Sequence, residues 1–186
     1  NQLPNNVYMI IVGGVLNAVL VPQLVKSHRN DPDGGKGYVD RLLTLSITIF
    51  GTLTIVATIA APILVQLYTQ NWSANQLALA TAFAYWCLPQ LFFYGLYSVL
   101  GEVLNSRSAF GPFMWAPVLN NVVGLLGMVA FILLFGLDPT GKRGVEQWDA
   151  SQVALLAGAA TAGVMAQALI LFVSWRKIGL NFKFNF

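Results

Sequence analysis

The chain is short of charge. Only 9% of its 186 residues are Asp, Glu, Lys or Arg, while 56% are hydrophobic and mean hydropathy is +0.66. A soluble domain carries about 25% charged residues. So few charged groups cannot cover a surface that faces water, which excludes an ordinary soluble domain and makes the bilayer the solvent. Length alone suits one domain. The chain also has one histidine, His28, and one cysteine, Cys87. No internal disulfide can form and no His/Cys metal cluster can assemble. No nucleophile with a base and an orienting partner can be picked out either, so enzyme chemistry and a bound cofactor are not expected. Cys87 sits in an apolar run and reads as a buried, inert thiol. The net charge of +3 is too small and too scattered for a nucleic-acid partner. There is no initiator Met and no basic n-region, so no signal peptide is read, and the chain opens in mid-pattern as a fragment would.

What is present is length without charge. A spanning helix needs about 20 apolar residues. Residues 1–25, 42–101, 108–137 and 150–175 carry no charge. The second run is long enough for two spans, and "YTQNWSANQ", 68–76, is its polar break. Five transmembrane helices are predicted, near 5–26, 42–68, 77–104, 111–136 and 150–176. The runs are continuously apolar rather than alternating, and in lipid a backbone without a closed barrel must satisfy itself as helix. The fold class is therefore all-α, a polytopic membrane helical bundle.

Lys and Arg set the orientation. Lys26, Arg29, Lys36, Arg41, Arg107, Arg176, Lys177 and Lys183 fall on one side; only Lys142 and Arg143 fall on the other. The richer side is predicted to be cytoplasmic. Tyr68, Trp72 and Trp148 are placed at the outer boundary and Trp175 at the inner end of the last span, as in an interfacial aromatic belt.

The loop "DPDGGKG", 31–37, imitates two motifs and matches neither. A calcium loop needs a carboxylate eleven positions after Asp31, where Leu42 stands. A phosphate loop needs Ser or Thr after Lys36, where Gly37 stands. It reads as a flexible hydrated loop. Polar residues inside spans say more. Gly13 and Asn17 share a helical face, and Asn120 with Asn121 lies early in the fourth span. An amide is costly against lipid, so each should face protein or a wet cavity. Pro22, Pro62, Pro89 and Pro117 fall in or at the ends of spans; Pro89 is mid-span, and Pro117 should bend its helix just before the Asn pair. Glu102 either snorkels to the interface or faces a cavity open to the cytoplasm.

The stretch "GEVLNSRSAFGPFMWAPVLNN", 101–121, holds the only charges between Arg41 and Asp138, namely Glu102 and Arg107. It reads as an elbow: Asn105 and Ser106 end one helix, Arg107 anchors the turn, and Pro112 suits the first turn of the next. With "LPN" at 3–5, "GGVLNAVLVP" at 13–22 and "WRKIGL" at 175–180, it resembles the MurJ/MviN-type lipid II flippases of the multidrug/oligosaccharidyl-lipid/polysaccharide exporter superfamily. Gly101, Leu104, Asn105, Phe110, Pro112, Ala116, Pro117 and Asn120 carry the match in the elbow, and the resemblance covers nearly the whole chain.

The resemblance implies a fourteen-helix, two-lobe fold of which helices two to six of the first lobe are present. It implies alternating access and transport coupled to membrane potential or an ion gradient. The cargo would be lipid II or a related undecaprenyl-linked precursor, moved from the inner to the outer leaflet of a bacterial cytoplasmic membrane, for peptidoglycan and cell-wall biogenesis. Tyr8, Gly13 and Asn17 map to cavity-facing positions; Pro89, Asn105, Arg107, Pro117 and Asn120 map to a gate and hinge. Relatives often have basic residues near positions 8 and 9 and an acidic one at 13, where this chain has Tyr8, Met9 and Gly13. Two other readings therefore stand beside the first: a flippase for another polyprenyl-linked glycan, and a non-transporting membrane scaffold whose partners are cell-wall synthesis proteins.

Overall fold

The computed structural model describes residues 21–69, 71–138 and 143–185. The expected first span, with Tyr8, Gly13 and Asn17, lies almost wholly outside the described residues. Helix α1 is Val21–Asn30, α2 Lys36–Ile59, α3 Ala61–Tyr68, α4 Ala74–Cys87, α5 Gln90–Ser106, α6 Phe110–Phe135 and α7 Ala150–Lys177, with a 3₁₀ turn at Val145–Gln147. No strand occurs among the described residues. The chain is an all-α polytopic bundle. Among the described residues, four stretches are long and apolar enough to cross a bilayer: Lys36–Ile59, Ala74–Ser106, Phe110–Phe135 and Ala150–Lys177.

Local chemistry sets the ends. Ser73 and Asp149 each open a helix with a reciprocal capping box, to Gln76 and Gln152. Two helices close with the same left-handed motif. After α5, Ala109 N–H donates to Leu104 O and Ser108 N–H to Asn105 O, with Ser108 at φ 61°. After α7, Leu180 N–H donates to Trp175 O and Gly179 N–H to Arg176 O, with Gly179 at φ 76°.

Prolines interrupt where the ladder has slack. The first break falls at Ala60, just before Pro62, and divides α2 from α3. Leu88 and Pro89 divide α4 from α5 yet keep helical dihedrals, so the two read as one 33-residue span with a loosened middle. Helix α6, by contrast, runs unbroken through Pro117.

Helix α5 is the hub. It buries Leu91, Leu96, Val99, Leu100, Val103 and Leu104, packing on α2 to one side and α7 to the other. Two of its glycines are slots. A Cβ on Gly95 would overlap the ring of Phe50 from α2, and one on Gly101 the ring of Phe113 from α6. The α6–α7 pair is just as close, for a Cβ on Gly127 would overlap the Cβ of Ala159. Trp175 departs from its expected place in an aromatic belt. It is 1% exposed, sits in the core against Phe172 and donates Nε1–H to Leu100 O at 3.4 Å. The outward faces are apolar: Leu133 is 79% and Met114 73% exposed, tolerable in lipid and not in water.

The two ends differ in chemistry. Loop 31–35, the α5–α6 elbow and the tail meet at one end, where Lys183 N–H donates to Asp40 Oδ1 at 3.2 Å and Asn185 N–H to Thr44 Oγ1 at 3.0 Å. Residues 73–76 and 144–147 meet at the other, where Trp148 packs edge-on to Phe83. Gly127 offers a direct test. Gly127→Ala should destabilise the protein by about 1–3 kcal/mol through overpacking, read as a lower thermal midpoint in detergent. Gly124→Ala, which meets open space, should be close to neutral.

Candidate functional site

The elbow between α5 and α6 gathers most of the predicted hinge residues. Pro117 has no N–H, so the carbonyl one turn earlier, Phe113 O, loses its helical donor. The Tyr97 hydroxyl supplies the missing bond at 2.9 Å. The two rings also stack, with centroids 4.8 Å apart and planes 20° apart, over the slot at Gly101. Proline, carbonyl, hydroxyl and ring pair thus form one joint between neighbouring helices.

Arg107 closes the elbow against the loop after α1. Its Nη2 donates to Gly34 O at 2.8 Å, and His28 Nδ1 reaches the same oxygen at 3.1 Å. Burial lowers the guanidinium pKa from its usual value while the charge of Asp33 pulls it back; Arg107 remains a cation at neutral pH. The loop is knotted from within. Asp33 accepts from Gly37 N–H at 2.7 Å and Gly35 N–H at 2.9 Å, and Ser27 donates to Asp31. These backbone donors, Gly37 first, hold the Asp33 carboxyl below the ordinary carboxylate range. Its contribution is complete above that range and is lost as pH falls through the lowered value. Gly35 must be glycine: it sits at φ 77°, and a Cβ would press on the backbone of Ser27 and His28. The stretch read as a flexible loop is an ordered bracket for Arg107.

Asn105 forms part of the helix end, its carbonyl taking the Ser108 N–H. Asn120 is a cross-helix tie. Its Nδ2 donates to Gln167 Oε1 at 3.0 Å, and it fills the space over Gly163 of α7. Asn121 is exposed. Pro89 stands apart from the elbow, 17 positions before Ser106 and so roughly 25 Å along the helix. There Gln90 Nε2 donates to Thr161 Oγ1 at 2.9 Å, and Thr161 donates to Trp86 O at 2.6 Å. No group of three His, Cys, Asp or Glu side chains is placed to hold a metal among the described residues.

Sequence reasoning missed Tyr97, Gln167 and Gly34. The orphan carbonyl at Phe113 follows from Pro117 by counting back four positions, but nothing in the sequence says which side chain answers it.

Comparison with known proteins adds the following. The profile of the family described as "Lipid II flippase MurJ" matches residues 1–186. A probable lipid II flippase MurJ of Rhizobium tropici is 24% identical over 189 residues, covering 100% of this chain and 33% of that protein. The chain thus spans about a third of the length of this relative. No solved structure matches.

The joint predicts a coupled pair. Tyr97→Phe strands a carbonyl away from water and should cost about 1–3 kcal/mol. In a Pro117→Ala background, which restores the helical donor, the same change should cost less than half as much. Thermal midpoints of the four proteins in detergent, read as a double-mutant cycle, decide it.

Proposed function

Since the chain belongs to the lipid II flippase MurJ family, we propose that it forms part of the first lobe of a flippase. This protein moves a lipid-linked peptidoglycan precursor from the inner to the outer leaflet of the cytoplasmic membrane. The observation that carries the reading is the family match over the whole chain. The physical task fits the architecture, because a diphosphate bearing a sugar peptide cannot cross hydrocarbon unaided. A bundle that shields the head group while the lipid tail stays in the bilayer removes that cost.

The elbow is the proposed inward gate. With the end rich in Lys and Arg on the cytoplasmic side, as the charge bias favours, Arg107 ties the α5–α6 joint to the bracket after α1. Tyr97 and Pro117 make that joint both bonded and free of a complete helical ladder. Alternating access needs an element with two packings, and a helix junction held by one guanidinium and one hydroxyl can supply it. Tyr8, Gly13 and Asn17 are proposed to line the cavity, and membrane potential or an ion gradient to drive the cycle. No cofactor is called for. Tyr8 and Met9, where relatives are often basic, favour as a second reading a different polyprenyl-linked glycan as cargo.

Depletion of the full-length protein should leave precursor accumulated on the inner leaflet; normal precursor levels at the outer face would defeat the proposal. In the depleted cells, Arg107→Ala should restore outward precursor several-fold less well than the wild-type protein at equal membrane abundance. Full restoration would remove Arg107 from the gate.

A further inference from the structure

The segment after α7 makes a link at the Lys/Arg-rich end that neither the elbow nor the bracket uses. Helix α7 closes at Lys177, Leu180 is buried, and Phe182 packs against the core. From there the chain crosses to α2. Lys183 N–H donates to Asp40 Oδ1 at 3.2 Å, and Asn185 N–H donates to Thr44 Oγ1 at 3.0 Å. The two registers match. Asp40 and Thr44 share a face of α2 one turn apart, a rise of about 6 Å. Alternate residues of an extended chain lie about 6.6 Å apart, with their N–H groups on the same edge. Helices α2 and α7 flank α5 and have no extended contact with each other. This segment is the hydrogen-bonded link between them among the described residues.

The link is built to come undone. Both acceptors are side-chain oxygens, so parting them leaves every helical ladder intact. Thr44 then has a partner in its own helix, the Asp40 carbonyl one turn back. Ser46 donates to Leu42 O and Thr48 to Thr44 O in that manner. The carboxylate and the two freed N–H groups sit at the end of the bundle, where water replaces the bonds they lose.

The rest of the bundle decides when it parts. Helix α6 cannot turn on the elbow alone. Asn120 holds Gln167 at 3.0 Å and fits over Gly163, and Gly127 meets Ala159, so α7 goes with it. A swing of α6 about the elbow therefore moves the end of α7 relative to α2 and pulls on the bonds at Asp40 and Thr44.

We propose that residues 181–185 are a strap that latches α7 to α2, closed in this structure and released when the α6–α7 pair swings. The inference rests on the reading of the elbow as a gate. Asp40 and Thr44 are positioning residues in it, holding the strap without touching cargo.

A reversible lock tests the strap. Thr44→Cys with Asn185→Cys, in a Cys87→Ala background, puts two thiols where the strap meets α2. Depleted cells expressing this full-length variant are oxidised with copper phenanthroline. Outward precursor is measured before oxidation, after it, and after added reductant. The bridge should cut outward precursor several-fold, and reductant should restore it. Undiminished export with the bridge formed overturns the latch. Hydrogen exchange on the full-length wild-type protein in detergent decides the matter whether or not the bridge forms. The Lys183 and Asn185 amides should exchange more slowly than in a free peptide, yet orders of magnitude faster than those of α5. The free-peptide rate would mean no strap, and protection equal to α5 a strap that never opens; either overturns the proposal. Export before oxidation tests the flippase reading and its loss on oxidation tests the latch, so the two can fail separately.

Discussion

Inside a bilayer, a carbonyl that loses its hydrogen bond has no water to turn to. That constraint organises the bundle wherever its helices are interrupted. Pro117 orphans Phe113 O, and a tyrosine from the neighbouring helix answers it. The ladder loosens at Pro89, and Thr161 of α7 answers Trp86 O while holding Gln90. The end of α5 is answered by its own chain through a left-handed serine, and the loop after α1 by Asp33. Each repair reaches from one element to another or closes a turn. The points where the helices are weakest as helices are therefore the points where they are tied together.

The hub position of α5 follows from the same economy of space. Its two slots accept rings from opposite sides, Phe50 from α2 and Phe113 from α6, so a slender helix can stand between two others. Helix α7 uses small residues likewise, with Gly163 under Asn120 and Ala159 against Gly127. In a bilayer the hydrophobic effect does not hold helices together, so such close fits and the few cross-helix hydrogen bonds bear the association. Asn120 is that kind of glue.

How much of this was legible in the sequence depended on range. The absence of charge over long runs is a one-dimensional signal, and it gave the helical membrane bundle directly. The elbow at 105–110 is local chemistry and was readable in kind, whereas the capping boxes at Ser73 and Asp149 came to light only in the structure. The family was readable because its signature lies in contiguous motifs. The partners of Pro117, Arg107 and Asn120 were not, because Tyr97, Gly34 and Gln167 lie 20, 73 and 47 positions away and no local pattern marks them. Trp175 misled for a related reason: an aromatic at a span end looks interfacial until the neighbouring helix is known to cover it. Loop 31–37 misled because Gly, Asp and Pro suit a flexible turn and a tight bracket equally well.

The seat of Phe113 has a mechanical consequence. Its ring lies in the notch left by Gly101 and against the face of Tyr97. A slide of α6 along α5 would drive the ring into the walls of the notch, so this single seat fixes the register of the two helices.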